Sequence, residues 1–348
     1  MAAPTDQDPS ARTSELGRHA RPTARTLILA SSTGVLLAAA LAVLATSHWP
    51  VAPAPDQCAA VSAVCGFPDA SDTGVPAGIA LKAVPGQVSS GPGWSYDPRG
   101  WVQVSGNGAV LSGLYISCDL NIGASDVTVK DVRVVTGGDF AISLRHASDV
   151  TIEDSTISGS NATSGRVDAA IKDVYGDSTG TVVRNDNISY FRIGVEVSAG
   201  LVARNYIHNP GYVGGDHTNG VYVNGSNAHL TIEGNTILNP LGQTDAITLN
   251  ASSSGQTVAN KTIEGNLIAG GDYVIYGGAS AGNATSNIVI KGNWFSQQYY
   301  PLGGRYGPAA YFDTRGLGNV WSGNVWAGRA KAGATPGDAG RATPVPPP

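Results

Sequence analysis

One short pattern recurs along the chain and limits what it can fold into. The stretch 230–237 reads LTIEGNTI, and eight other stretches resemble it, with starts 18 to 31 residues apart. Such self-similarity is typical of solenoids, propellers and other arrays, because a single repeat cannot bury its apolar face alone. The nine copies are 109–116, 127–134, 150–157, 181–188, 200–207, 230–237, 261–268, 288–295 and 319–326.

Each copy predicts two short strands joined by a bend. In LTIE, the apolar residues Leu230 and Ile232 alternate with polar ones, which is the two-residue period of a strand. A Gly-Asn pair then interrupts the strand. Asn tolerates the left-handed conformation, so we expect the bend at the Asn and a stack of hydrogen-bonded amides along the coils. Asn recurs at the sixth position of five copies, as Asn205, Asn235, Asn266, Asn293 and Asn324.

The composition agrees with an array of strands and excludes one class of partner. The 348 residues carry a net charge of −5, only 14% are charged, and no basic block occurs, so nucleic acid is excluded as a partner. Forty-six glycines and many Asn, Thr, Val and Ile residues are typical of strands and turns. We therefore predict an all-β chain that forms a single-stranded, right-handed parallel β-helix of about nine coils. Its oligomeric state stays open.

The N-terminal region predicts a membrane segment ahead of the coils. Residues 1–25 are polar and are expected to form a disordered cytoplasmic tail. Residues 26–47 lack charge over a length that spans a bilayer, and the arginines before them orient the N-terminus inward. A cleaved signal peptide is the alternative, but its apolar core is usually shorter. We favour an uncleaved anchor; both alternatives place the rest of the chain outside the cytoplasm, as a membrane-anchored or a secreted protein.

The remaining boundaries follow from composition. Residues 48–65 form a Pro/Ala spacer with a cysteine pair, and residues 66–328 form the β-helix domain. Cys58 and Cys65 are expected to form a local disulfide in an oxidising compartment, and Cys118 to be a small buried residue. Residues 329–348 are rich in Ala, Gly and Pro and are predicted to be disordered.

Three stretches carry a resemblance to a known group of proteins. They are residues 66–86 (GFPDASDTGVPAGIALKAVPG), the coils that follow, and residues 288–326, which include GGRYGP and NVWSGNVW. Together they resemble secreted actinobacterial right-handed parallel β-helix proteins of the pectate-lyase-like superfamily. The resemblance covers about residues 64–328 and implies the fold. It also implies a protein that acts on an extracellular or cell-wall glycan, although a fold alone does not fix an activity.

A third strand in each coil is expected to present a column of side chains to solvent. Adjacent strands lie about 4.8 Å apart, so Lys172 should lie beside Glu196, and Glu196 beside Tyr222. Such a Lys–Glu pair is also a common cross-strand ion pair with no other role. Aligning the third strands predicts the column Ser143, Lys172, Glu196, Tyr222, Thr248 and Tyr276.

The column and the loops before it supply candidate site residues for three functions. In a lyase, Lys172 or His217 would remove a proton, and Arg145, Arg305 or a Ca²⁺ ion held by carboxylates would neutralise the uronate. In a hydrolase, Glu196 and Asp245 would act as acid and base. In a binding protein, Tyr222, Tyr276, Tyr299 and Tyr300 would hold glycan without cutting it. Asp139, Asp168 and Asp245 also suit local turns.

The loop at 215–222 connects the resemblance to the site. Relatives carry a loop similar to GDHTDGIQ, which implies that Asp216 and His217 belong to the site. This chain departs from that pattern at Asn219, where a carboxylate is expected, and at Tyr222, where an amide is expected. The departure leaves open whether the protein is an enzyme. The leading prediction is a lyase-like or hydrolase-like protein, and the alternative is a non-catalytic glycan-binding or structural surface protein.

Overall fold

The structure, a computed structural model, describes residues 65–251, 255–327 and 345–348. The predicted cytoplasmic tail, the membrane segment 26–47 and Cys58 lie outside these residues. Within them, no helix is long and apolar enough to cross a membrane. The described chain is almost entirely β, with one short 3₁₀ helix at Ser280–Gly282.

Thirty strands follow one another along the described part of the chain. They are β1 (Lys82–Val84), β2 (Ser90–Gly91), β3 (Trp94–Asp97), β4 (Trp101–Val104), β5 (Val110–Ser112), β6 (Leu114–Ile116), β7 (Asp119–Ile122), β8 (Thr128–Lys130), β9 (Arg133–Thr136), β10 (Phe140–Leu144), β11 (Thr151–Glu153), β12 (Thr156–Gly159), β13 (Val167–Asp173), β14 (Val182–Arg184), β15 (Asn187–Ser189), β16 (Phe191–Glu196), β17 (Gly200–Ala203), β18 (Tyr206–Ile207), β19 (Asn219–Asn224), β20 (Leu230–Glu233), β21 (Thr236–Asn239), β22 (Ile247–Asn250), β23 (Val258–Glu264), β24 (Leu267–Gly270), β25 (Tyr273–Gly277), β26 (Thr285–Lys291), β27 (Trp294–Ser296), β28 (Gly307–Ala310), β29 (Val320–Ser322) and β30 (Val325–Ala327).

These strands form three sheets that make a parallel β-solenoid. Sheet A has ten strands, from β1 and β6 through every third strand to β30. Sheet B has eleven, from β2, β3, β4 and β7 to β28, and sheet C has nine, from β5 to β29. All pairings are parallel except the hairpin pairs β2–β3 and β3–β4.

The number of turns differs slightly from the predicted nine. About seven regular turns run from β8 to β28. The first repeat belongs to the N-terminal end of the stack, where β7 continues into the β2–β4 hairpins. Within the described residues, the last repeat contributes β29 and β30, at the point where the continuous description ends at residue 327. All nine repeats therefore form the predicted strand–bend–strand unit, while the outermost two form the ends of the solenoid.

The bend itself lies one residue earlier than predicted. The left-handed residue is the fifth of each repeat, such as Gly234 with φ of 61°, and not the Asn that follows it. Glycine takes this conformation without steric cost, which explains the Gly before the Asn in the later repeats. Asn235 is instead buried, and its amide is used for hydrogen bonding. The nine left-handed residues are Gly113, Asp131, Asp154, Asn185, Arg204, Gly234, Gly265, Gly292 and Gly323.

The predicted amide stack is confirmed. From Asn235 onward, each Asn Oδ1 accepts hydrogen bonds from the backbone N–H and the side-chain amide of the Asn one coil earlier. Asn205, for example, donates to Asn235 Oδ1 from its backbone nitrogen at 2.9 Å and from Nδ2 at 3.0 Å. The same pattern continues from Asn235 to Asn266, Asn293 and Asn324. The stack ties together five consecutive bends.

A continuous apolar core fills the solenoid between the sheets. Inward residues of one strand pack on the equivalent residues of the next, as Val202, Ile232 and Ile263 do in sheet C. All three are fully buried. Aromatic rings close the C-terminal end, where Phe295 lies 5.8 Å from Trp321 and 6.2 Å from Trp326 between ring centroids.

The end of the chain also contacts this C-terminal end. Val345 is buried, accepts a 2.8 Å hydrogen bond from the Trp321 indole and donates one of 2.9 Å to Asn324 O. Most of the predicted disordered tail lies outside the described residues. Cys65 is disulfide-bonded, whereas Cys118 is a free, half-buried cysteine.

Residues 65–81 form a strap along sheet A, which no periodic pattern predicts. Phe67 packs edge-to-face on Trp294 of β27, with 5.8 Å between ring centroids. Farther along, Gly74 N donates a 2.8 Å hydrogen bond to Asn185 O, and Val75 N donates one of 3.2 Å to the Thr156 hydroxyl. The strap then enters β1, which pairs with β6. It therefore contacts sheet A from near its C-terminal end to its N-terminal end.

One buried cation predicts how stability depends on pH. Lys261 is fully buried and its ammonium donates to Ala228 O, and burial lowers its pKa to about 8. The unfolded chain, with a lysine pKa near 10.4, therefore binds more protons between these values. We expect the free energy of unfolding to rise from pH 8 to 10 in the wild type, because less charge is buried as Lys261 deprotonates.

Guanidinium unfolding at pH 7.5, 8.5 and 9.5 checks this expectation. Lys261→Met should lose the rise, whereas Lys291→Met, on the solvent side of sheet C, should keep it. Profiles of equal slope for the wild type and Lys261→Met would contradict it.

Candidate functional site

The column predicted on the third strands is present on the outer face of sheet B, but two of its predicted members, Ser143 and Thr248, are buried and not exposed to solvent. The register pairs Ser143 with Lys172, Lys172 with Glu196 and Glu196 with Tyr222. It continues from Tyr222 to Thr248 and Tyr276. It also extends upstream to Asn121 on β7 and Gln103 on β4, which the sequence alignment did not include. We call these eight residues the sheet B column.

Lys172 and Glu196, at the centre of the column, form a direct ion pair. Their side chains are 19% and 13% exposed, so the pair is largely withdrawn from water. The Lys172 ammonium also lies 5.4 Å from the centre of the Phe140 ring. Tyr222 follows on the next strand, and burial raises its phenol pKa, with a further increase from the Glu196 charge. The Lys172 ammonium is therefore paired directly with the Glu196 carboxylate.

Two bidentate arginine–carboxylate pairs lie beside this ion pair. Arg166 binds Asp216 through Nε at 2.5 Å and Nη2 at 2.6 Å. Arg192 binds Asp168 in the same way, at 2.5 and 2.7 Å. Burial alone would raise the pKa of Asp168, but the Arg192 hydrogen bonds and nearby cations lower it overall. We call these four residues, with Lys172 and Glu196, the charged network.

The charged network has three cations and three carboxylates, so it is neutral as a whole. Each carboxylate is fixed by a cation, which suits a rigid scaffold better than proton transfer. Asp216 has a second such role, because its Oδ2 accepts the Val213 N–H at 2.8 Å and so folds the preceding loop. The predicted site residues Lys172, Glu196 and Asp216 thus lie in one connected network, held together by Arg166, Asp168 and Arg192.

His217 lies apart from this network. Its side chain is exposed, and its ring makes no hydrogen bond with the described residues. The neighbouring Asn219, which replaces an expected carboxylate, is buried. Asn219 Nδ2 donates to the His217 carbonyl at 3.3 Å, and its Oδ1 accepts the Thr248 hydroxyl at 2.6 Å. The amide at this position therefore bridges the loop and the sheet B column.

Asp245 is buried beneath the C-terminal part of the column. Its Oδ2 lies 2.9 Å from the Thr248 hydroxyl, and its Oδ1 accepts the Tyr273 N–H at 3.2 Å. Burial raises the pKa of Asp245 to about 7, against these hydrogen bonds. When Asp245 is protonated, it can donate to Thr248, which then donates to Asn219. The raised pKa of Asp245 and the amide at position 219 are thus parts of one hydrogen-bonded chain.

Tyrosine rings gather at the C-terminal end of sheet B. Tyr276 lies 5.7 Å from Tyr273 and 5.1 Å from Tyr311, measured between ring centroids. Tyr306 lies 5.9 Å from Tyr273, and the Arg305 guanidinium lies 5.3 Å from the Tyr306 ring. Burial, followed by the charge of Asp245, raises the pKa of Tyr276 to about 12. The predicted residues Tyr276 and Arg305 therefore belong to one aromatic patch.

The two other predicted tyrosines follow each other in the chain. The Tyr300 hydroxyl donates a 3.0 Å hydrogen bond to Pro240 O. Burial raises the pKa of the Tyr299 phenol.

A cleft of about 380 Å³ opens at the N-terminal end of the same face. It brings together two aromatic rings, two amides, two carboxylates and one guanidinium. Among the predicted site residues, only Arg145 lies here. The lining residues are Trp101, Gln103, Asp119, Asn121, Asp139, Phe140 and Arg145.

Hydrogen bonds and charge shape this cleft. The Ser143 hydroxyl donates to Asn121 Oδ1 at 2.5 Å, and the Thr136 hydroxyl donates to Asp119 Oδ1 at 2.9 Å. Burial raises the pKa of Asp119, and the nearby charge of Asp139 raises it further. Arg145 Nη1 lies 3.5 Å from the Tyr175 hydroxyl at the rim.

The sequence contains a signal for this cleft. The stretches WVQV at 101–104 and DLNI at 119–122 alternate in the same way as the third strands. Extending the alignment of third strands upstream by two coils places Gln103 and Asn121 in the column. The aromatic Trp101 and the carboxylate of Asp119 then fall two positions before them.

Metal chemistry has no cluster to support it within the described ranges, where no group of three or more His, Cys, Asp or Glu side chains could hold an ion. The Ca²⁺ considered from the sequence therefore stays a prediction.

Comparison with known proteins adds no assignment: no protein-family model matches the chain, and no curated protein is significantly similar to it.

Proposed function

We propose that the outer face of sheet B binds an extended glycan outside the cytoplasm, as a non-catalytic surface. The cleft carries this proposal. Aromatic rings offer apolar faces to sugar C–H groups, while amides and carboxylates bind hydroxyls, which is the usual composition of a small-molecule site. The Trp101 ring, the Gln103 and Asn121 amides and the two cleft carboxylates supply these groups together.

The rest of the face supports an extended ligand. From the cleft, the sheet B column continues across eight strands to the aromatic patch, with one side chain about every 4.8 Å. Sheet A is contacted along its length by the strap, which leaves it less free to bind. We further infer a right-handed coil, since parallel crossovers are almost always right-handed. The uncharged segment 26–47 would anchor the protein in the membrane, with this face on the side away from the cytoplasm.

The charged network favours binding over catalysis at Lys172, Glu196 and Asp216, whereas the exposed His217 lies outside it. A lyase base must be free to accept a proton, whereas Lys172 is paired with Glu196 and Asp216 is held by Arg166. Asp245 has a raised pKa but is fully buried. These contacts suit a rigid binding surface.

Hydrolysis at the cleft is the second candidate. Asp119 has a raised pKa and lies near Asp139, and a pair with one protonated carboxyl is the arrangement that glycosidases use. Incubating the full-length protein with each bound glycan and measuring new reducing ends separates the two functions. If the wild type forms new reducing ends and Asp119→Asn does not, the function is hydrolysis and not binding alone.

We expect Trp101→Ala to weaken glycan binding at least tenfold, because the cleft loses its largest apolar surface. Affinity electrophoresis of the full-length protein in gels containing single glycans measures the change. Val110→Ala, which trims an exposed apolar residue on sheet C, serves as the control and should bind like the wild type. Retention of no glycan by the wild type, or equal retention by Trp101→Ala, would overturn the proposal.

A further inference from the structure

The central cations of the sheet B face are already neutralised. Arg166, Lys172 and Arg192 each bind a carboxylate of the chain directly, two of them through bidentate contacts. A uronate carboxylate would have to displace Asp216, Glu196 or Asp168 to reach one of them. Such an exchange gains little, because one charge pair is broken for each that forms, and the displaced carboxylate stays partly buried.

The two ends of the sheet B face do not supply the unpaired positive charge that its centre lacks. The cleft has two carboxylates, Asp119 and Asp139, against the single guanidinium of Arg145, so it has no surplus of positive charge even when Asp119 is protonated. At the other end, Arg305 lies over the Tyr306 ring and Nη1 lies 3.5 Å from Gly242 O, while Asp272 lies near enough to Asp245 to raise its pKa. A polyanion would therefore meet no surplus of positive charge at the cleft or beyond it.

We propose that this face selects glycans without carboxylates, neutral or amine-bearing, and discriminates against polyuronates. This inference rests on the proposed glycan-binding function and specifies its ligand. Neutral sugars present hydroxyls, which the amides, carboxylates and phenols of the face can bind while each ion pair remains intact. An amine-bearing sugar adds a cation that the carboxylates of the cleft would attract. A polyuronate brings repeated negative charge, and its desolvation is not compensated by any uncommitted cation of the charged network.

Affinity electrophoresis with the full-length protein tests the ligand class. Gels contain a β-glucan, a mannan, chitosan or polygalacturonate at equal mass and equal ionic strength. We expect retention by at least one of the first three, and retention by polygalacturonate at least tenfold weaker. Preferential retention by polygalacturonate would overturn this inference while leaving the glycan-binding function in place. Retention by none of the four would overturn the glycan-binding function itself.

Freeing one central cation should change the selectivity. Glu196→Gln removes the charge that neutralises Lys172, so we expect the ratio of polygalacturonate retention to neutral-glycan retention to rise about tenfold. Glu264→Gln is the matched control, because Glu264 pairs with Lys291 at 3.1 Å on sheet C, away from the face. Asp139→Asn, at an exposed position, provides a second variant if Glu196→Gln unfolds early. An unchanged ratio of polygalacturonate retention to neutral-glycan retention in folded forms of both variants would contradict the inference.

Discussion

Replacing Asn235 by alanine is expected to lower the free energy of unfolding by about 3–5 kcal/mol. Asn235 is completely buried and connects three coils. Its Oδ1 accepts two hydrogen bonds from Asn205, and its Nδ2 donates to Val202 O and to Asn266 Oδ1, both at 2.9 Å. Alanine leaves these buried partners without a hydrogen bond, and each loss costs about 1–3 kcal/mol.

Guanidinium unfolding followed by circular dichroism measures this loss. Asn227→Ala is the control, because Asn227 is exposed in the loop before the same repeat and should change stability by less than about 0.5 kcal/mol. Asn235→Asp keeps the acceptor and replaces the donor, so it should lie between the wild type and Asn235→Ala at low pH. A loss below about 1 kcal/mol in Asn235→Ala would show that the amide stack contributes little to stability.

The fold was predictable because the same pattern of apolar and polar residues recurs in every coil. Period-two alternation, as in Leu230 and Ile232, identifies which side chains face the core, and every repeat starts from the same short pattern. The position of the bend was misplaced because the sequence alone does not separate the conformational role of Gly234 from the hydrogen-bonding role of Asn235. Both residues are typical of bends. The amide is needed inside the coil, and the left-handed backbone is needed one residue before it.

The strap lay beyond sequence reasoning for a different reason. Phe67 contacts Trp294, more than 200 residues away, and Gly74 N donates one backbone hydrogen bond to Asn185 O. Neither contact produces a periodic pattern. Single non-local contacts of this kind depend on the path of a loop, which local propensities do not determine.

The candidate site divides in the same way. The sheet B column follows from register, so the contact between Lys172 and Glu196 was predictable once the third strands were aligned. The ion pair between Asp216 and Arg166 was not predictable, because Arg166 lies 50 residues earlier in the chain, directly before β13. Without that partner, Asp216 resembles a free acid. The cleft around Trp101 was missed because the alignment began at β10, although the same alternation is present on β4 and β7.

The second large effect concerns the one carboxylate in the amide stack. The stack continues upstream through the sixth residue of earlier repeats, where Asp186 replaces Asn. Asp186 N donates to Asn205 Oδ1 at 2.9 Å, and Asp186 Oδ1 accepts the Ser155 N–H at 2.7 Å. Its Oδ2 is buried with no partner among the described residues. In the later repeats, the corresponding Nδ2 donates to a backbone carbonyl, as Asn205 does to Val183 O.

Burial therefore raises the pKa of Asp186 well above its ordinary value, and the acidic neighbours Asp154 and Glu153 raise it further. The folded protein keeps this proton to a higher pH than the unfolded chain does. Stability from the protonated form is fully present below about pH 4, the unfolded pKa, and is lost as the pH rises toward the folded pKa. Asparagine has no such proton to lose, and it supplies the missing donor at every pH.

We expect Asp186→Asn to raise the free energy of unfolding by about 2–4 kcal/mol at pH 7, since it removes a buried acceptor without a partner and adds a hydrogen bond. The gain should shrink toward pH 4, where the carboxylic acid of the wild type can itself donate. Guanidinium unfolding of the wild type and Asp186→Asn at pH 4, 5.5 and 7 measures the difference. Asp149→Asn, at an exposed bend, is the control. A gain that does not depend on pH, or no gain at pH 7, would mean that Asp186 ionises in the folded stack at little cost. The stack would then hold a charge as readily as an amide.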